Sequence, residues 1–143
     1  MAFGVIVDLE TTGLNPLKDE IIEIGILGFT YGNDNKPVVT TAYGALEDPG
    51  KPIPEEIIKL TGITDDQVKG QSIDWGNVKE ILGKADIVVA HNAKFDRGFL
   101  EQRVEIASVN INWACSQSHI DWRAMGYKTS ALNYLAADHG FVN

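Results

Sequence analysis

A single cysteine, Cys115, among 143 residues excludes an internal disulfide framework and suits a reducing compartment. No apolar run approaches the roughly 18–20 residues that a membrane-spanning helix needs. The N-terminus, MAFGVIVDLE, has no basic stretch ahead of its apolar residues, so it reads as a strand and not as a secretory signal. These absences point to the cytoplasm and away from a membrane. Internal repeats, low-complexity tracts and linkers are also missing, which makes 1–143 one domain. Cationic charge is scarce: 12 Lys and Arg against 20 Asp and Glu leave a net charge of −8. A passive nucleic-acid binder, which needs a basic face to release counterions from phosphate, is disfavoured. An acidic protein can still act on phosphates if divalent cations sit in its site.

The residues present describe an α/β domain. Phe3–Val7 is apolar without alternation, as in a central strand buried on both faces. Thr11–Glu20 is a turn-rich loop, and Ile21–Thr30 and Pro37–Leu46 read as two strands joined by the hairpin-like YGNDNK. Their short connection favours antiparallel pairing. Pro54 suits the first position of a short helix over EEIIKL, with Glu55 and Glu56 at its positive end. Ser72 or Asp74 caps a helix through Gly83, followed by a strand over Ala85–Ala90. Asn92 caps a helix to about Ala107 with Phe95, Phe99 and Leu100 facing inward, and Asn112–Ser116 is a short strand. Thr129 or Ser130 opens a last amphipathic helix that closes at Gly140. Strands first, then alternating strand and helix, predict a mixed sheet with helices packed on it.

Two segments carry chemistry. Asp8 and Glu10 close the first strand, and a period of two projects both from one face, with Cα atoms roughly 6.5–7 Å apart. Two carboxylates that close raise each other's pKa unless a cation holds them ionised. Ligation by oxygen alone suits Mg²⁺ or Mn²⁺ better than Zn²⁺. The simpler alternative is a pair of solvated acids at a strand end. In His91-Asn92-Ala93-Lys94-Phe95-Asp96 a strand delivers the chain to His91, and Asp96 falls in the opening turns of the next helix. There it carries a third carboxylate over the C-terminal edge of the sheet, where α/β sites lie. Its simpler alternative is an acid answering the helix dipole.

DLETTGL at 8–14 and HNAKFDRGFL at 91–100 resemble the first two motifs of the DEDD exonuclease superfamily, which includes ribonuclease T and the proofreading epsilon subunit of bacterial DNA polymerase III. IIEIG at 21–25 and LTGIT at 60–64 resemble the family's wording between those motifs, so the similarity spans almost the whole chain. It implies a ribonuclease-H-like α/β fold: a five-stranded mixed sheet of order 3-2-1-4-5 flanked by helices. The implied activity is 3′→5′ hydrolysis of phosphodiester bonds with two Mg²⁺ or Mn²⁺ ions, DNA being the favoured substrate and RNA the alternative. Asp8, Glu10 and Asp96 would be the catalytic metal ligands, Asp8 bridging both ions. Thr11, Thr12 and Leu14 would hold the terminal nucleotide, with His91, Asn92 and Phe95 at the same pocket. Implied partners are single-stranded or frayed 3′ ends, a polymerase subunit, and a second copy of the chain as a homodimer.

The family's third motif, a His or Tyr base and a last metal-binding Asp, follows a segment like SALNYLAADHGF in the His branch. Here that segment is 130–141, and no H-x-x-x-x-D or Y-x-x-x-D comes after it. The expectation is therefore a domain of the His branch truncated before that motif. His139, beside the cap glycine of the last helix, and His119 read as structural and not as substitute bases. Trp75 and Trp113 read as core, and Cys115 as a small buried hydrophobe. Trp122 and Tyr127 are stacking candidates, and Arg123 and Lys128 are phosphate-contact candidates. The alternative function is a catalytically inactive exonuclease-like module that binds nucleic acid or a polymerase subunit.

Overall fold

The computed structural model describes residues 1–32 and 35–116. The elements run β1 (Ala2–Thr11), β2 (Ile21–Gly32), β3 (Asn35–Leu46), α1 (Glu55–Thr61), α2 (Asp65–Val68), α3 (Trp75–Lys84), β4 (Ile87–Ala90), α4 (Ala93–Leu100), α5 (Val104–Ala107) and β5 (Trp113–Cys115). The strands form one sheet of order β3-β2-β1-β4-β5. β1 pairs antiparallel with β2, and β2 with β3. β1 runs parallel to β4, and β4 to β5. This is the mixed sheet, in the order that the sequence leads one to expect. The helix expected from 129 to 140 lies outside the described residues, as do His119, Trp122, Arg123, Tyr127, Lys128 and His139.

Alternation along β1 buries Val5, Val7 and Leu9 on one face, against Ile24 and Ile26 of β2 and Val88 and Ala90 of β4. Trp75, Val78, Ile81 and Leu82 of α3, with Phe99, Leu100 and Ile106 from α4 and α5, close this core. Both parallel crossovers move across the sheet in the same direction, and right-handed connections then put their helices on the same side. Burial on both faces of β1 therefore holds for one face only among the described residues. On the other, Ile6 is 45% and Leu27 43% exposed. No helix among the described residues is long and apolar enough to cross a membrane.

Local expectations need three corrections. Pro54 is the N-cap of α1 and not its first helical residue. The helix expected through Ala107 ends at Leu100, and Arg103 caps a separate α5. The break sets the Arg103 guanidinium 4.3 Å from the Trp75 ring centroid and 3.5 Å from Glu47, so tertiary contacts override helical continuity. α2 was not anticipated, although its Thr64–Gln67 capping box is written in the sequence.

Candidate active site

β1 and β4 are parallel neighbours, so their C-terminal ends meet at one edge of the sheet. β1 brings Asp8 and Glu10 to that edge on the open face. Across the strand pair Asp8 faces Gly25, and Glu10 faces Glu23. From β4 the chain turns through His91 and Asn92 into α4, whose first turn carries Asp96. Asp96 is 5% exposed, one of the few buried polar residues among those described. An acid that merely answers a helix dipole sits in solvent and titrates low. Asp96 does the reverse: its carboxyl is pushed up to about 7, first by burial, then by the charge of Asp8 and, more weakly, of Glu10. Hydrogen bonds from its own backbone N–H and that of Leu9 only partly oppose this.

The other two carboxyls are also raised. For Asp8 the cause is desolvation, offset by the Leu9 N–H and by His91. For Glu10 it is desolvation, then the charges of Asp8 and Glu23. Among the described residues none of the three forms an ion pair with Lys or Arg. Nor are any three His, Cys, Asp or Glu side chains there arranged as a ready-made metal cage. The donor set still fits a hard divalent cation: three carboxylates within electrostatic reach of one another, with no Lys or Arg among the described residues paired to them.

Beside the carboxylates, Leu14, Pro16, Asn92, Lys94, Phe95 and Gly98 line a cleft of about 310 Å³. The structure thus brings together Leu14, Asn92 and Phe95 from two segments almost eighty residues apart in sequence. Leu14 is 84% exposed, an apolar side chain held in solvent. Phe95 is braced from behind by Phe99, with ring centroids 5.0 Å apart. Asn92 takes the cap position of α4 without a side-chain cap bond, contrary to expectation, and is one of the residues lining the cleft.

Thr11 and Thr12 are buried and their hydroxyls serve the loop. Thr11 donates to the Gly13 carbonyl at 2.6 Å, and Thr12 accepts from the Glu20 N–H at 2.9 Å. The loop's organiser is Asp19, which sequence reasoning missed: it accepts from the Asn15 N–H at 2.9 Å and lies 3.4 Å from the Thr12 hydroxyl. Its carboxylate fills the space a Cβ on Gly13 would need, so it is close approach, and not a positive φ, that favours glycine there. His91 Nδ1 lies 3.0 Å from the Ser116 hydroxyl. The Cys115 sulfur accepts from the Ala93 N–H and donates to the His91 carbonyl, each at 3.5 Å. Cys115 is buried as expected, yet it also fastens the β4–α4 turn that carries the second motif. Lys94 and Ser116 likewise gained a place at the site only through the fold.

A family model described as exonuclease matches residues 5–135. DNA polymerase III PolC-type of Listeria welshimeri is 42% identical over 101 residues, which is 68% of this chain and 7% of that protein. The PolC-type polymerase of Thermotoga maritima is 34% identical over 137 residues, 94% of this chain and 9% of that protein. The chain therefore spans under a tenth of the length of these relatives. In fold it is similar to exonuclease I: one structure superposes with a TM-score of 0.74 at 13% identity, over 99% of this chain and 36% of that one. Exonuclease I of E. coli in complex with a dT13 oligonucleotide gives 0.73 at 11% identity, over 99% and 36%.

Proposed function

The chain belongs to the exonuclease family, within the DEDD superfamily, and on that premise we propose that it removes nucleotides from the 3′ ends of nucleic acid, DNA before RNA, with divalent metal ions. The observation that carries this is the convergence of Asp8, Glu10 and the buried Asp96 at one sheet edge, with no Lys or Arg among the described residues paired to them. Asp8, Glu10 and Asp96 are the residues that would hold two Mg²⁺ or Mn²⁺ ions. When bound, such ions supply Lewis acidity, a water of lowered pKa and neutralisation of the leaving oxygen.

The chain's own residues do the rest. Asp8 lies within electrostatic reach of both other carboxylates, as a group shared between two cations must. Burial of Asp96 excludes water from one side of the centre and keeps its charge strongly felt. Leu14 and Phe95 offer apolar surface for a terminal base, and Asn92 and Lys94 offer donors toward sugar and phosphate. With its hydroxyl committed to the loop, Thr11 would meet the terminal nucleotide through its backbone, whereas the hydroxyl and N–H of Thr12 are both engaged with Glu20. The turn held by Cys115, with His91 beside Ser116, fixes where α4 begins and so where Asp96 stands. The PolC-type relatives support work beside a polymerase.

The test uses the complete gene product that contains residues 1–143, single-stranded DNA and RNA labelled at the 5′ end, and Mg²⁺. A ladder that shortens stepwise from the 3′ end is expected, abolished by a chelator. Binding without shortening would replace the enzyme by a non-catalytic module, and a released labelled mononucleotide would reverse the polarity. Leu14→Ala is expected to raise KM about 5–30-fold with kcat little changed, since it removes roughly 1–2 kcal/mol of apolar contact. At 84% exposure Leu14 contributes little to the core, so a lowered melting temperature would point away from substrate contact.

A further inference from the structure

Glu10 and Glu23 are direct partners in the antiparallel β1–β2 pair. Their side chains leave the same face, with Cβ atoms roughly 4.5–5.5 Å apart. Like charges directly opposite each other destabilise a sheet. Local choices that contradict the fold concentrate where function requires them. Nothing described in this sheet relieves the conflict. The next partner in the row, on β3, is Leu46. Beside it, Asp8 is followed across the sheet by Gly25 and then Gly44, which carry no side chain. Among the described residues no Lys or Arg forms an ion pair with Glu23, Glu10 or Asp8. Glu23 is itself only half-buried. Two facing carboxylates next to an uncompensated buried third, Asp96, form an arrangement that a divalent cation would balance.

We propose that Glu23 is a further carboxylate of the metal centre, which together with Glu10 holds the divalent ion on the β2 side. This rests on the metal-dependent function proposed above and adds a group from a strand that neither main motif occupies. Its effect should therefore appear in ion affinity and only secondarily in rate.

The probe is Mn²⁺, titrated by calorimetry into the metal-free complete gene product and into its Glu23→Gln, Glu23→Asp and Glu10→Gln variants. Both Glu23 variants are expected to weaken Mn²⁺ binding about tenfold or more. They should raise the Mn²⁺ concentration for half-maximal cleavage in proportion. Glu23→Asp separates placement from charge, because it keeps the charge but draws the carboxylate back by one methylene. Wild-type affinity in Glu23→Asp would reduce Glu23 to a distant charge and overturn the proposal, as would unchanged affinity in Glu23→Gln. If Glu10→Gln leaves the isotherm unchanged, or the wild-type protein binds no Mn²⁺, the underlying metal-dependent reading fails first, and this proposal with it.

Discussion

Asp8→Ala in the complete gene product is expected to slow phosphodiester hydrolysis on the order of 10³-fold or more and to leave the fold intact. Asp8 contributes to the raised pKa of both Glu10 and Asp96, and acts on Asp96 more strongly than Glu10 does, so it is the carboxylate most strongly coupled to the other two. On the proposed reading, loss of a less strongly coupled carboxylate would weaken metal binding in part, whereas loss of Asp8 would weaken it for the whole centre. The side chain projects from the open face of β1 toward the Gly25 position, not into the core formed by Val5, Val7 and Leu9. Its loss therefore creates no cavity and relieves repulsion, so the melting temperature should hold or rise. Single-turnover cleavage of a 5′-labelled oligonucleotide, alongside thermal unfolding of the same preparation, reads both effects. A rate within tenfold of wild type would remove Asp8, and with it the shared-carboxylate geometry, from the mechanism. An inactive but unfolded variant is separated from this by the melting curve.

How much of this could be read from residues alone depends on the range of each interaction. The strands, the loop after β1 and the Asp74 cap of α3, whose side chain accepts from the Asn77 N–H at 3.0 Å, follow from local signals of a few residues. The D-x-E pair is legible because period two on one strand fixes its geometry before anything folds. Asp96 shows its meaning only in part: its place in the first turn of α4 can be read, but its burial depends on packing against β1. Glu23 is illegible in this sense. It stands thirteen positions from Glu10, and only the register of β1 against β2, shifted by a bulge after Glu10, makes them neighbours. The break between α4 and α5 escapes for a similar reason, since it answers Trp75 and Glu47, both distant in sequence. Helix α2, at four residues, is too short for periodicity and could be caught only by its capping box.

The second large effect is on stability, and its sign follows from Asp96. Its folded-state carboxyl lies at about 7, against an ordinary 3.8. Between those values the folded protein holds a proton that the unfolded chain has released. Stability therefore falls as pH rises through this window and levels off above it. The raised carboxyls of Asp8 and Glu10 act in the same direction. Asp48, whose carboxyl is held low by the Gly50 and Gly70 N–H groups, acts oppositely but only in more acidic solution. Metal-free protein should thus be more stable at pH 5 than at pH 8. Asp96→Asn keeps the shape and removes the charge, so it should stabilise the metal-free protein at pH 8 and change little at pH 5. A shift of this size corresponds to at most about 4 kcal/mol, and relaxation around the charge brings the expected gain to roughly 1–3 kcal/mol. Urea unfolding at both pH values, with and without Mg²⁺, measures it. Mg²⁺ should stabilise wild type at pH 8 and the variant less, because the variant lacks the Asp96 charge and keeps only the repulsion among Asp8, Glu10 and Glu23. Hydrolysis by the variant should fall at least on the order of 10²-fold even as its fold strengthens, the trade expected where a site is kept charged for function. A variant no more stable than wild type at pH 8 would mean that Asp96 is already compensated within the protein. The uncompensated carboxylate centre on which the metal-dependent reading stands would then be lost.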